Sequence, residues 1–392
     1  MKILFASNLF GRNARGGAES VVRAEAEALL RAGHEVTVVH GIYGAEKPER
    51  EFSGLRTIAY RPPQIFDYTE LGRHGQIARL AWHWLDIFNS RSAARFADIV
   101  RREKPDVVHT HNLMGLGFLI PAQLRLLRVK HVHMVHDVQL LHPSGLLAAA
   151  RDPLGGGWAQ KIYIRLLRRL FGSPAAVIFP SLFLKDLHVQ AGFFPSSRLE
   201  LFRNPAPAAV ASVPPRSGKP VFLFAGQVEE HKGILRLIEV WRRSVLRDRA
   251  ILEIAGSGAF TAAAAGMAAG DPSIRFLGRL DRPALEQALD RASFVVLPSL
   301  VIENAPTVIL EALSRGVPAV AAATGGVPEI IVDGRTGFLF RAGDDADLER
   351  SLVRAAAEPA DGWAELSARC RERAGELTME KHLAALLATY RG

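Results

Sequence analysis

Glu303 and Glu311 stand eight positions apart in PSLVIENAPTVILEALSRGVPAVAAATGGVPE, residues 298–329. Carboxylates grip hydroxyls by accepting their hydrogen bonds. Between the two, Ala305–Thr307 open a predicted helix, whose first amides lack an intrahelical acceptor and so attract an anion. A second anion device lies upstream in GQVEEHKG, residues 226–233, where Lys232 and Gly233 meet another helix start. An isolated glutamate pair or lysine turn is ordinarily solvated surface. A diphosphate cradle beside two hydroxyl-gripping carboxylates, however, matches the two ends of a nucleotide sugar.

The flanking elements decide whether these residues can meet. SFVVLPS (Ser293–Ser299) is an apolar run too short for a helix and reads as a buried parallel strand. Pro306 suits the first turn of a helix running to about Arg315, and Gly316-Val317-Pro318 stops it. PVFLFAG (Pro220–Gly226) is a strand leading into the Lys232 turn. Parallel strands would bring both turns to one sheet edge.

The same alternation covers the rest of the chain. In the first half it predicts strands at 2–7, 34–40, 106–111, 131–137, 175–181 and 199–205. Helices are expected at 18–32, 77–103, 117–127 and 158–171, while 44–75 gives no clear pattern. The second half predicts strands at 220–226, 250–256, 274–278, 293–299, 318–323 and 337–340, with helices at 233–247, 282–291, 306–315, 344–358 and 361–392. Prolines 205, 207, 214, 215 and 220 mark a linker. The expected architecture is α/β: two doubly wound, Rossmann-like domains whose carboxyl edges face a shared cleft. Residues 1–210, with a terminal helix at about 377–392, form the first; residues 216–376 form the second.

One cysteine, Cys370, excludes an internal disulfide framework and fits a reducing cytosol. No apolar run reaches the length of a membrane span. The net charge of +9 is unevenly spread: residues 1–210 carry about +10 and the remainder about −1. The first domain therefore suits an anionic partner, such as a bilayer surface or lipid diphosphate. Basic residues are not interleaved with stacking aromatics, which argues against nucleic acid. WAQKIYIRLLRRLF (Trp158–Phe171) reads as a core-facing helix with a basic outer face, or as a membrane-surface helix.

Further candidates lie at strand ends. Gly16 and Gly17 would permit positive φ and close backbone approach to a ligand, although no dinucleotide fingerprint is present. His136-Asp137 ends a strand. His109, His111, His131 and His133 share strands, but no carboxylate or cysteine completes a metal set with them. Asp345-Ala-Asp347 reads as a helix cap.

Gly16-Gly17-Ala-Glu19, His136-Asp137, Arg203-Asn204-Pro205, Gly226…Lys232-Gly233, Glu303-x7-Glu311 and Gly325-Gly326-x-x-Glu329 together resemble the large retaining glycosyltransferase family 4, of GT-B fold. The resemblance spans nearly the whole chain. It implies that Glu303 bonds donor-sugar hydroxyls, Glu311 the ribose, and Lys232 the diphosphate, assisted by amides around Asn304, Ala305 and Thr307 and by Gly17. Gly278-Arg279 would lie near the base and His136 beside the sugar. Gln227 stands where the family usually has arginine, so Arg203, Arg15 or Arg279 would have to supply that charge. His136–Pro143 resembles the acceptor segment of bacterial members that build envelope polysaccharides.

The resemblance thus implies metal-independent transfer from a UDP- or GDP-hexose to a glycan or polyprenyl-diphosphate-linked acceptor, without a cofactor. The enzyme would be cytoplasmic, with peripheral contact to the inner face of an anionic membrane. Rival expectations are an NDP-sugar epimerase of the same fold and a non-catalytic anion-binding module.

Overall fold

The computed structural model describes residues 1–11, 16–45, 47–149, 152–211 and 218–392. Its strands form two sheets. The first contains β1 (Lys2–Ser7), β2 (Glu35–Gly41), β3 (Glu51–Phe52), β4 (Leu55–Tyr60), β5 (Val107–Thr110), β6 (His131–Met134), β7 (Ala176–Phe179) and β8 (Arg198–Leu201). Their order is β3-β4-β2-β1-β5-β6-β7-β8, parallel except for the β3–β4 hairpin. The second contains β9 (Val221–Ala225), β10 (Ile251–Ala255), β11 (Ile274–Gly278), β12 (Phe294–Leu297), β13 (Ala319–Ala322) and β14 (Gly337–Phe340). It is parallel throughout, in the order β11-β10-β9-β12-β13-β14.

Each sheet reverses direction once. From β1 the chain moves outward through β2 and β4, then returns to place β5 on the other side of β1. From β9 it moves to β10 and β11, then returns to place β12 on the other side of β9. At such a reversal the loops leaving neighbouring strands diverge, opening a crevice beyond their carboxyl ends.

The central strands are buried on both faces, as strands covered by helices must be. In the first sheet Ile3, Phe5, Val36, Val38 and Ile178 pack with Val21, Val22 and Leu29 of helix Gly17–Arg31. Leu386 and Tyr390 of helix Met379–Arg391 join that core. In the second, Trp241 is fully buried and meets Phe222 edge-on at 5.4 Å. Truncating a buried ring of this size to alanine costs about 3–5 kcal/mol.

The chain divides into two compact units: Met1–Leu146, Pro153–Arg203 and Glu380–Gly392 form one, and Leu147–Asp152 with Asn204–Met379 the other. The change of unit thus falls at Arg203–Asn204, ahead of the expected proline-rich linker. The short excursion at 147–152 was not expected; it pairs with the second unit through an antiparallel bridge between Ala148 and Val301.

Several elements differ from expectation for local reasons. The single helix expected at 77–103 is two, Gln76–Ile87 and Ser90–Glu103. Asn89 interrupts it, its Oδ1 accepting the Ser92 N–H at 3.0 Å as an N-cap. The tail likewise breaks into Ala360–Glu376 and Met379–Arg391. Helices Leu182–Gln190 and Thr261–Ala268 were unanticipated. The second is mostly alanine, which gives no amphipathic stripe to read.

Candidate functional site

β9 and β12 are direct neighbours, with Phe222 opposite Phe294 and Leu223 opposite Val295. The turns that follow them therefore leave the second sheet side by side, at its point of reversal. After β9 a short 3-10 turn, Glu230–Lys232, ends at Gly233, whose φ is +73°. A Cβ there would lie 1.9 Å from the Pro298 carbonyl oxygen, so only glycine lets helix Ile234–Arg243 begin against the β12 loop.

That contact seats Lys232 beside Glu303. The Lys232 Nζ donates to Glu303 Oε1 at 2.6 Å, and the Ser299 hydroxyl donates to the same oxygen at 2.6 Å. The side chains are 23% and 14% exposed, enough for a ligand to reach them. The Glu303 backbone is fixed as well: its carbonyl accepts the Gly326 N–H at 2.8 Å. Gly325 passes so close that a Cβ would lie 2.0 Å from that carbonyl. On the other side, Ile302 N–H donates to the Leu147 carbonyl and Ala149 N–H to the Leu300 carbonyl.

Thr307 opens helix Thr307–Ser314, one residue later than expected. Pro306 precedes it as the N-cap, with φ −63° and ψ 118°; its extended ψ turns the chain out of the helix before the first turn. Asn304, the next residue, is buried. Asn204 reaches the same loop, its Nδ2 donating to the Ala305 carbonyl at 3.5 Å.

Glu311 lies on that helix, its carboxylate 2.7 Å from Arg282 Nη1. Arg282 also donates to Glu286 at 2.6 Å. The resemblance places Gly278 and Arg279 near the base; the residue that meets Glu311 is Arg282, which opens helix Arg282–Arg291 and carries no signal in the sequence. Gly278 ends β11 with φ +68°, and Arg279 is exposed. Gly226 directly follows β9, its carbonyl oxygen 1.8 Å from where a Cβ on Gly256 would stand, and Gln227 is exposed. At Asp345–Asp347 the cap proper is Asp344, whose Oδ1 accepts the Asp347 N–H, while Asp345 pairs with Arg236.

The first unit holds the remaining candidates. The expectation of positive φ at the paired glycines is corrected: Gly16 is extended, with φ −144°, and serves as the N-cap of helix Gly17–Arg31. Its N–H donates to Glu19 Oε2 at 2.8 Å, the one half of a capping box that a glycine N-cap, having no side chain, can make. Gly17 is absent from the positive-φ glycines too. Arg15 lies outside the described residues. The Arg203 carbonyl accepts from His382 Nδ1 at 3.0 Å. His136 stacks on His111, with its Nε2 2.8 Å from His111 Nδ1. Burial, with His382 nearby, pushes the His136 pKa down to about 3, so the ring is neutral near pH 7.

The expectation that no carboxylate accompanies the histidines is also corrected. Glu25 of helix Gly17–Arg31 meets His109 and His111, all three buried. The signal was available: Val21, Val22, Ala26 and Leu29 set the core face of that helix, and Glu25 falls on it.

Among the described residues no helix is long and apolar enough to cross a membrane. Helix Trp158–Phe171 does turn Leu167 and Phe171 into the core.

Comparison with known proteins gives the class. A sucrose-phosphate synthase from Thermosynechococcus elongatus superposes with a TM-score of 0.76 over 99% of this chain and 98% of its own, at 19% identity. The Anabaena HepE protein, solved in complex with UDP-glucose, gives a TM-score of 0.73 over 99% and 100%, at 18% identity. Two doubly wound sheets of this kind define the GT-B fold. Residues 15–209 match the model for Glycosyltransferase Family 4 and residues 207–376 that for Glycosyl transferases group 1, and the chain belongs to this family. An uncharacterized 42.6 kDa protein in the cps region of Klebsiella pneumoniae is 25% identical over 84% of this chain and 87% of its own length.

Proposed function

We propose that the enzyme transfers a hexose-type sugar from a UDP- or GDP-sugar to a hydroxyl of a lipid-linked or envelope-polysaccharide glycan, with retention of anomeric configuration. The observation that carries this reading is the Lys232–Glu303 pair at the reversal of the second sheet. One ammonium and one carboxylate on adjoining turns suit a phosphate and a sugar hydroxyl on adjoining atoms. The HepE complex with UDP-glucose and the cps-region relative support the donor and acceptor classes.

As the anomeric carbon–oxygen bond breaks, charge grows on the leaving diphosphate. Lys232 and the opening amides of helix Thr307–Ser314 would stabilise it, and preoriented donors of this type gain most where water is excluded. Glu303 holds the sugar and Glu311 the ribose. The acceptor oxygen forms the new bond on the same face, and its proton passes to a leaving phosphate oxygen. The transfer needs no metal in this scheme. His136, Gly17 and Arg203 of the first unit keep the roles the resemblance implies. Peripheral docking to an anionic bilayer falls to the first unit, where Lys161, Arg165, Arg168 and Arg169 line a recess beside exposed Trp158 and Ile162.

A thermal-shift panel of UDP-, GDP-, ADP- and TDP-sugars identifies the donor, and anomeric analysis of the product settles the stereochemistry. An epimeric sugar among the products of the nucleotide sugar incubated without an acceptor would instead establish an epimerase.

A further inference from the structure

We propose that the first unit binds one divalent transition-metal ion between Glu25, His109 and His111, at a structural site distinct from the Lys232–Glu303 pair. One ligand atom from each of Glu25, His109 and His111 lies within 4.8 Å of the other two. Glu25 Oε2 and His111 Nε2 are 3.8 Å apart. All three residues are fully buried. Among the described residues Glu25 Oε2, His109 Nε2 and His111 Nε2 have no hydrogen-bond partner. A buried polar atom left without a partner is costly, and three so close together need an occupant.

The other polar atom of each residue is already held. His109 Nδ1 lies 2.7 Å from the Tyr390 hydroxyl, His111 Nδ1 2.8 Å from His136 Nε2, and Glu25 Oε1 2.6 Å from His382 Nε2. With their protons on Nδ1, both imidazoles turn an Nε2 lone pair to the common point. Outer partners that fix ring orientation in this way are what metal-binding histidines require. Phe5 covers the histidines, its ring 5.1 Å from His109 and 5.2 Å from His111.

Two imidazoles and a carboxylate suit zinc, iron(II), cobalt or nickel better than magnesium or calcium. Tetrahedral bonds of about 2.0–2.1 Å place donors roughly 3.3 Å apart, so no pair need close by more than about 1.5 Å on binding. The ion would clasp helix Gly17–Arg31, the end of β5 and, through Tyr390 and His382, helix Met379–Arg391.

The test uses the full chain, produced in medium supplemented with zinc or cobalt and passed over a chelating resin to strip surface histidines. About one ion per chain is expected, with intense visible absorption from tetrahedral cobalt and a higher melting temperature than the chelator-stripped protein. Glu25→Gln should lose the ion while keeping the far-UV dichroism of the wild type. Tyr390→Phe preserves the shape of the core and settles the matter should Glu25→Gln fail to fold; it should weaken metal affinity about 10–100-fold. Less than a tenth of an equivalent in the wild type, with no thermal shift on adding zinc, cobalt, nickel or iron(II), overturns the proposal and leaves a buried water as occupant. So does a metal content unchanged in Glu25→Gln, or a metal affinity unchanged in Tyr390→Phe.

Discussion

The polar clusters of the two units follow opposite plans. In the second, the partly exposed Lys232 and Glu303 satisfy one another with help from the buried Ser299, and Arg282, Glu286 and Glu311 pair while partly exposed. Such groups can exchange a protein partner for a ligand at small net cost, because water and ligand compete for the same bonds. In the first, Glu25 and its histidines are sealed from water and oriented by an outer ring of hydrogen bonds, and three atoms are left facing inward. Exchange suits a substrate that comes and goes; enclosure suits a resident. A partly open ion pair is therefore the better marker of turnover chemistry here, although the buried histidines are the more conspicuous cluster.

The largest effect should come from removing the exchangeable cation. Lys232→Ala is expected to lower turnover about a hundredfold or more, since one donor to a developing anion is worth roughly 2.7–4 kcal/mol. Single-turnover rates at saturating donor measure it, and near-normal turnover removes Lys232 from the clamp. Next comes the support beneath it. Gly233→Ala puts a Cβ 1.9 Å from the Pro298 carbonyl at a φ of +73°. Backbone strain alone costs about 1–3 kcal/mol. The variant should melt several degrees lower and lose donor binding; unchanged stability would mean that the two turns can separate freely.

The readability of the two plans differs for the same reason. Strand alternation made the carboxyl edge visible, and with it the convergence of Lys232 and Glu303 from distant positions. Order within the sheet was not legible. That β9 abuts β12 depends on which side of β9 the returning strand joins, a matter of packing. Arg282 was invisible because it reads as an ordinary helix-start arginine. The buried triad lay on two elements, helix Gly17–Arg31 and the end of β5, whose contact arises only in the assembled core, though a glutamate on an apolar helix face was a clue. The glycines at 16 and 17 misled, since composition alone does not separate an extended N-cap from a left-handed turn.

Burial in the first unit also makes a pH prediction. Asp86 is fully buried, accepting from Gln64 Nε2 at 2.8 Å and from the Gly115 N–H at 3.0 Å. Burial raises its pKa to about 7 against these two donors, which lower it. The folded state thus holds a proton that the unfolded chain releases near pH 4. The resulting stabilisation is full below that point and is lost as pH rises through about 7. Between pH 5 and 8 the loss is on the order of 2–3 kcal/mol. Asp86→Asn should flatten that dependence: its amide can donate to Gln64 Oε1, which has no partner among the described residues, once the Gln64 amide is reversed. Urea midpoints at the two pH values measure it, and equal slopes for both proteins would contradict the assignment.

The smallest effect tests the exchange plan most directly. Arg282 is about half exposed, and ion pairs of that kind contribute roughly 0.2–1 kcal/mol. Arg282→Ala should therefore raise the donor KM only about twofold to fivefold, leaving kcat unchanged, by letting the Glu311 carboxylate wander. Glu311→Ala removes the proposed ribose contact itself and should cost more. If Arg282→Ala instead matched Glu311→Ala, the two would act as a closed structural pair like those of the first unit. Glu311 would then have no ribose to grip.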